Sequence, residues 1–485
     1  MRATPLTLPS AAIVILALFA PQPAISQTIP VTTQSPAAHE KFIEGRALFE
    51  KLRAQEARPL LQAAVAADPD FALAWLNLAQ VSTSAKDFFD HVDRAASLVE
   101  HASEAEGWWI VGFQAGVQGH PQRQLELYSK LAEAYPNDPR SHNLLGIHHF
   151  VQQNWAVAIT NFEQATDVDP SYSAPYNMLG YARRFAGDFD GAEKAFQTYI
   201  RLIPDDPNPY DSYAELLMKT GRFEESIKSY RKALQQDGHF IASHIGIATN
   251  LNFLGQQAAA RAQLEQMLGT ARNDGERRGA YFAMAVSQVS EGNLAAAISC
   301  IAVELALAAK IDDATAMAGD HTNMGLLQLE SGNVDAAESH FEAAIAVTEA
   351  SDRDEDVKET GRRAYLYNKG TLAVARGDYA TARALAADLL ERAQAIGNSF
   401  AERLAHELIG IAALAEGDAS TASSELAQAN QQDPYNLYRQ ALAADASGDD
   451  NNARQWLQRT IANNPLNNLN DALVRSRAMK LRDEF

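Results

Sequence analysis

The sequence predicts an all-α chain built as a solenoid of helical hairpins, and three observations predict it. Ala, Leu, Glu and Gln dominate most windows while runs of β-branched residues are scarce, which favours helix nearly throughout. The runs beginning at Pro139, Ser173, Pro207 and Ile241 stand 34 residues apart and share one pattern. Projected onto helices, each run gives two apolar faces separated by a turn-like break, GDFD at Gly187 or GRFE at Gly221. At 485 residues the chain is too long for one ordinary core, and an elongated array is one way to bury so much side chain.

Taken in order, the chain opens on Arg2, an apolar run over residues 11–20, Pro21 and Pro23, and then Ala24, Ile25 and Ser26. A charged start, a short apolar segment and small residues are the order of a secretory signal over residues 1–26, cut after Ser26. Ten apolar residues are too few to span a bilayer comfortably, so no stable membrane insertion is expected after cleavage. Residues 27–37, rich in Thr, Gln and Pro, read as a flexible leader. A regular array follows over 38–268, with Gly45, Trp75, Trp108 and Gly112 extending the register backwards; the unit near Ala72 lacks a clear second-helix match. Within the four regular units the large residue near each start is His142, Tyr176, Tyr210 or His244. A small residue stands four further on, namely Gly146, Gly180, Ala214 or Ala248. In the second half come Ala158, Ala192, Ser226 or Ala260, and then Phe162, Phe196, Tyr230 or Leu264. Asp-Pro pairs such as Asp169-Pro170 stop the second helix. After the polar stretch 269–277 a second array with longer spacings, about 40 to 45 residues, occupies 276–465, and extra helical turns or longer connections must absorb the difference. Residues 466–485, with Leu469, Leu473, Val474 and Leu481, read as a C-terminal capping helix over the last apolar face.

This skeleton of small and aromatic residues, its 34-residue period and the closing Asp-Pro resemble tetratricopeptide repeats, with about twelve units in all. The resemblance implies antiparallel helix pairs stacked into a right-handed superhelix whose concave groove holds a peptide or a partner helix. It also implies which residues face that groove: Arg140, Asn143 and Ile147; Asn177, Tyr181 and Arg184; Asp211, Glu215 and Met218; Ile245, Thr249 and Asn252. Amides and arginines there suit backbone amides or a carboxylate of an extended peptide. The co-chaperone type of the family adds groove lysines to such asparagines, and this chain has none at those places.

No catalytic motif accompanies this repeat. There is no GxSxG, HExxH, GxxxxGK[ST] or GxGxxG, and the single cysteine, Cys300, precludes thiolate clusters and intrachain disulfides. His142 and His149 share a helix but lie about 10.5 Å apart along it, too far to share an ion. His142 and His244 occupy the slot of Tyr176 and Tyr210, which reads as packing with a satisfied ring nitrogen. Asp352, Asp354 and Asp356 have the alternation of a calcium loop, but Val357 and Arg363 stand where such a loop needs Gly and Glu. Neither metal nor cofactor is expected. Cleavage after Ser26 leaves 40 basic against 61 acidic side chains, a net charge of −21, which repels phosphate backbones and anionic lipid. Nucleic acid is therefore not an expected partner. The sequence reads as a non-enzymatic, periplasmic or secreted scaffold that binds a protein or peptide in its concave groove; the alternative is a small-ligand or peptide sensor using the second array. N-terminal sequencing of the exported chain should begin at Gln27, and a chain that retains Met1 would overturn the signal reading.

Overall fold

The computed structural model describes residues 28–485; the signal read over 1–26, with Gln27, lies outside them. Twelve helical hairpins and a last helix follow one another. The first seven hairpins are α1 (Pro36–Phe49) with α2 (Ala54–Ala67), α3 (Ala72–Gln80) with α4 (Ala85–Ser97), α5 (Glu104–Val117) with α6 (Pro121–Ala134), α7 (Pro139–Val151) with α8 (Trp155–Val168), α9 (Ser173–Phe185) with α10 (Phe189–Leu202), α11 (Asn208–Lys219) with α12 (Phe223–Gln236), and α13 (Ile241–Phe253) with α14 (Gln257–Thr270). The remaining five are α15 (Asp274–Ser290) with α16 (Leu294–Lys310), α17 (Ala314–Glu330) with α18 (Val334–Ala350), α19 (Glu355–Ala375) with α20 (Tyr379–Ala395), α21 (Ser399–Glu416) with α22 (Ala419–Leu426), and α23 (Pro434–Ala446) with α24 (Asp450–Ile461). Helix α25 (Leu469–Glu484) packs on α23 and α24 and also reaches α15. The chain is an all-α solenoid of stacked hairpins, with no strand among the described residues.

Within a hairpin, the small residue of the first helix meets the large residue sixteen positions later on the second. A Cβ added to Gly180 would stand 2.6 Å from the ring of Phe196, and one on Gly146 2.4 Å from Phe162. The same pairing joins Gly112 to Tyr128 and Gly325 to Phe341, with leucine taking the ring's place at Gly45–Leu61 and Gly410–Leu426. Phe162 and Phe196 are fully buried, each burial worth about 1.5–3 kcal/mol. Gly187, at φ +83°, ends the first helix of its hairpin in a conformation that L side chains rarely adopt. The large residue near each start has a second task. Trp75, His142, Tyr210 and His244 each place a ring nitrogen or hydroxyl against the carbonyl six residues earlier, at 2.8 to 3.1 Å. This tethers the first helix to the connection that leads into it.

From α15 to α21 the helices lengthen, and α22 to α24 are short again, at 8 to 13 residues. Helices α15 to α18 are 17 residues each and α19 is 21, against 12 to 14 in α5 to α14, so added turns absorb the longer spacing. Hairpin two has a full second helix, α4, followed by a 3₁₀ turn at Val99–His101.

The solenoid coils back onto itself. The turn edges of early hairpins bind the connections of later hairpins, far apart in sequence. The Ala85 amide donates to Asp313 at 2.8 Å, and Arg353 pairs with Asp90 at 2.6 Å. Gln118 donates to Asp354, and Asn398 to the Gly119 carbonyl at 3.3 Å. Ser399 and Arg403 both bind Gln152, at 2.8 and 3.0 Å, and Gln153 donates to Asn430 at 3.0 Å. Lys219 donates to Asn463, and burial pushes its amine down to about 8. Asp354 also caps α19 by accepting the Val357 amide, so the calcium-like alternation serves a cap and a seam.

The leader read as flexible is instead held from Ile29. Its amide donates to Asp138 at 2.9 Å, the Thr32 amide donates to Glu106 at 2.8 Å, and Ile29 is buried against the first core cluster. Asp138 and Glu106 sit at the starts of α7 and α5, where they also cap those helices. One carboxylate thus joins a helix start to a passing extended chain.

Gly180→Leu should lose about 1–3 kcal/mol of stability through overpacking against Phe196. Chemical denaturation checks this, and an unchanged midpoint would contradict the close approach.

Candidate functional site

The first helices of hairpins one to five enclose a cavity of about 160 Å³ lined by residues of α1, α3, α5, α7 and α9. Asn77, Asn143 and Asn177 line it, at 2%, 9% and 5% exposure. None of these three side chains makes a hydrogen bond among the described residues, and each carboxamide oxygen is buried without a partner. A buried polar group left unpaired costs about 1–3 kcal/mol. Three such residues line one cavity, with each orphaned oxygen itself sealed from solvent in the free chain.

Two guanidinium groups line the same cavity. Arg140 is held in a fork by Glu50, Nε to Oε1 at 2.7 Å and Nη2 to Oε2 at 3.1 Å, and lies 5.3 Å from the Tyr172 ring. Burial acts to lower the Arg140 pKa, but the Glu50 charge and hydrogen bonds hold it above the usual range. Arg46 has no carboxylate within ion-pair distance among the described residues; its guanidinium lies over the face of Phe42 at 5.0 Å. Burial and the neighbouring Arg140 charge push its pKa down. Asp138 adds a second carboxylate 3.7 Å from Arg140, so Arg46 is the cation of the pair without a carboxylate partner of its own among the described residues.

The groove residues expected from the sequence divide into three groups. Arg140, Asn143 and Asn177 come together at the cavity, with Ile147 on its apolar wall. Tyr181, Arg184 and Glu215 bond to one another instead: the Tyr181 hydroxyl donates to Glu215 at 2.8 Å, Arg184 Nη1 donates to the other oxygen at 3.2 Å with its Nε left unpaired, and the guanidinium lies 4.8 Å from the Tyr181 ring. Asp211 is buried beside them and accepts from Ser243 at 2.6 Å. Burial, followed by the Glu215 charge, pushes its carboxyl up to about 8. Met218 and Thr249 are buried, and Asn252 accepts from Ser287 of the next hairpin at 2.9 Å.

Sequence reasoning missed Arg46, Glu50 and Asn77. Arg46 follows Gly45 as Tyr181 follows Gly180, so the register carried back one more step places it in the groove. Asn77 stands two residues after Trp75, whereas Asn143 and Asn177 stand one after His142 and Tyr176, so strict alignment passes over it. Cys300 is half-buried, and burial pushes its thiol pKa up, which makes it a poor nucleophile. Among the described residues no three His, Cys, Asp or Glu side chains converge to hold a metal ion, and no helix is long and apolar enough to cross a membrane.

The tetratricopeptide repeat family model matches residues 44–88, 143–207 and 177–239, which supports that repeat type in those hairpins. No curated protein matches the chain. Among solved structures, MamA is 19% identical over 34% of this chain and 91% of its own, at a TM-score of 0.29. A thermophilic tetratricopeptide repeat protein of Thermus thermophilus is 18% identical over 42% of this chain and 98% of its own, at 0.31. The human IFIT1 dimer with m7Gppp-AAAA is 14% identical over 89% of this chain and 91% of its own, at 0.40.

The raised Asp211 carboxyl sets a pH dependence. Its folded pKa of about 8 lies above the unfolded value of about 3.9, so between the two the unfolded chain has released the proton that the folded chain keeps. Stability should fall by a few kcal/mol as pH rises from about 4 to about 8. Asp211→Asn, which mimics the protonated acid, should flatten that slope in melts run across the range. A slope identical in both proteins would remove Asp211 as its source.

Proposed function

We propose that the protein is a non-enzymatic interaction scaffold that holds an extended peptide segment of a partner along the inner helices of hairpins one to five. The observation that carries this is the set of three unpartnered carboxamides on α3, α7 and α9. A carboxamide offers both donor and acceptor, the complement of a peptide unit, and three of the five hairpins carry one at this groove. Arg46, lacking a carboxylate, supplies a cation for a carbonyl or carboxylate of the same segment. The apolar lining from Leu144, Ile147, Met178 and Trp109 accepts the segment's side chains.

Rigidity favours such binding. The carboxamides ride on helices fixed by the hairpin contacts, so little side-chain entropy is lost when a peptide arrives. The excess of acidic side chains disfavours nucleic acid and anionic lipid as the partner. The charged start and apolar run at the N-terminus support export, to the periplasm or out of the cell, as the place where the partner is met.

A library of short peptides screened against the purified chain should yield binders whose affinity falls at least about tenfold, or 1.4 kcal/mol, in Asn143→Ala with Asn177→Ala. Because those carboxamides have no partner in the free chain, the double variant should melt no lower than the parent. Binders untouched by the double variant, or a library with none, would defeat the proposal.

A further inference from the structure

A second cleft, of about 260 Å³, opens between α17, α18 and α19. It shares no residue with the carboxamide cavity, and no unpaired cation lines it. On α17 the lining residues Ala318, Gly319 and Thr322 are small, and a Cβ added to Gly319 would meet nothing within 4 Å. The facing helix α19 contributes Thr360 and Ala364, so two neighbouring first helices leave a gap between them. Gly319 and Ala364 are exposed and mark its open side. The rings of Phe341 and Tyr365 form part of the wall, and Phe89, from α4 in the earlier turn of the solenoid, completes it.

Three threonine hydroxyls of this lining are already engaged, while Thr315 and the buried Asn368 carboxamide, also in the lining, make no side-chain hydrogen bond among the described residues. Thr322 donates to the Ala318 carbonyl at 2.9 Å, Thr348 to Ala344 at 3.0 Å, and Thr360 to Asp356 at 3.1 Å. Thr360 also accepts from Arg363 at 2.9 Å. With hydroxyls bonded back to their own helices, the methyl groups are left to the cleft. The nearby Arg353 is neutralised by Asp90 at 2.6 Å. A guest therefore finds mainly apolar surface, with the Asn368 carboxamide and the Thr315 hydroxyl as neutral polar groups and no unpaired charge, and a charged guest would be desolvated without return.

We propose that this cleft binds a small uncharged apolar molecule carrying one or two rings. An apolar cavity of about 150 Å³ takes a guest the size of benzene, so the larger volume here admits a two-ring guest. The aromatic walls favour a ring over a flexible chain. Because Phe89 belongs to the earlier turn, the guest touches both turns of the solenoid, and its binding would add to the seam between them. The proposal does not rest on the peptide groove, and either can fail without the other.

N-phenyl-1-naphthylamine titrated into the purified chain should give a saturable rise in fluorescence, reversed by naphthalene, and naphthalene should raise the melting temperature. Gly319→Phe, which enters open space, should weaken the probe at least about tenfold while helical circular dichroism is kept. Ala364→Phe on the facing helix should do the same and decides the matter if the first variant fails to fold. Val151→Ser with Phe400→Ser removes two apolar side chains exposed at 62% and 54%, and should leave binding unchanged. Non-saturable binding, binding that survives both filling variants, or binding lost with Val151 and Phe400 would overturn the proposal.

Discussion

Six of the twelve hairpins depend on one close approach, a backbone without a side chain laid against a ring or leucine sixteen residues on. At Gly146, Gly180 and Gly325 the space a Cβ would take is already filled by Phe162, Phe196 and Phe341. The two helices can then approach more closely than alanine allows, and the ring is sealed from water. Hairpin six shows what happens when the glycine is absent. Ala214 takes the position, and the Tyr230 ring is met instead by Gly246 of the following hairpin, at 2.1 Å from a built Cβ. The contact shifts from within a hairpin to between two, which keeps the stack continuous.

Repeating that contact fixes the rotation from each hairpin to the next, and the accumulated rotation brings hairpins two, three and four against hairpins nine, ten and eleven. The seam that results is largely polar, made of amides, caps and turn carbonyls. Such groups are well suited to it. Helix ends leave carbonyls and amides unpaired, and laying the turn edges of one turn on the helix starts of the next satisfies members of both sets. Asp313 and Asp354 each cap their own helix and hold an earlier hairpin with the same carboxylate.

This explains what could be read from the sequence and what could not. The period, the glycine and ring skeleton and the turn glycines act over sixteen or thirty-four residues, so their spacing is visible in one pass along the chain. The seam joins residues more than 220 positions apart, such as Ala85 and Asp313, and uses Asp, Asn and Gln residues that already have a local reason to be there. Their second role leaves no trace in spacing. The same holds for the leader, where Ile29 is recognised by Asp138, a residue that reads only as an ordinary helix cap. In the groove, position alone could not separate Asn143 and Asn177, which have no partner, from Tyr181, Arg184 and Glu215, which have one another. That difference depends on which polar side chain the next hairpin supplies, and Glu215 supplies it for hairpin five.

The two kinds of groove polarity have different consequences for binding. In the Tyr181–Arg184–Glu215 network the hydroxyl and one guanidinium nitrogen are bonded to Glu215 while Arg184 Nε is left unpaired, so a ligand that engaged Glu215 would first have to break bonds of the free chain. At the carboxamides nothing is broken, and the cost of leaving them unpaired is already carried by the folded state. That cost can be carried because it is spread over three hairpins, two of them with a glycine-seated ring of their own. Stability held in the repeating contact leaves the inner face of hairpins two, four and five free to remain unsatisfied until a complementary chain arrives.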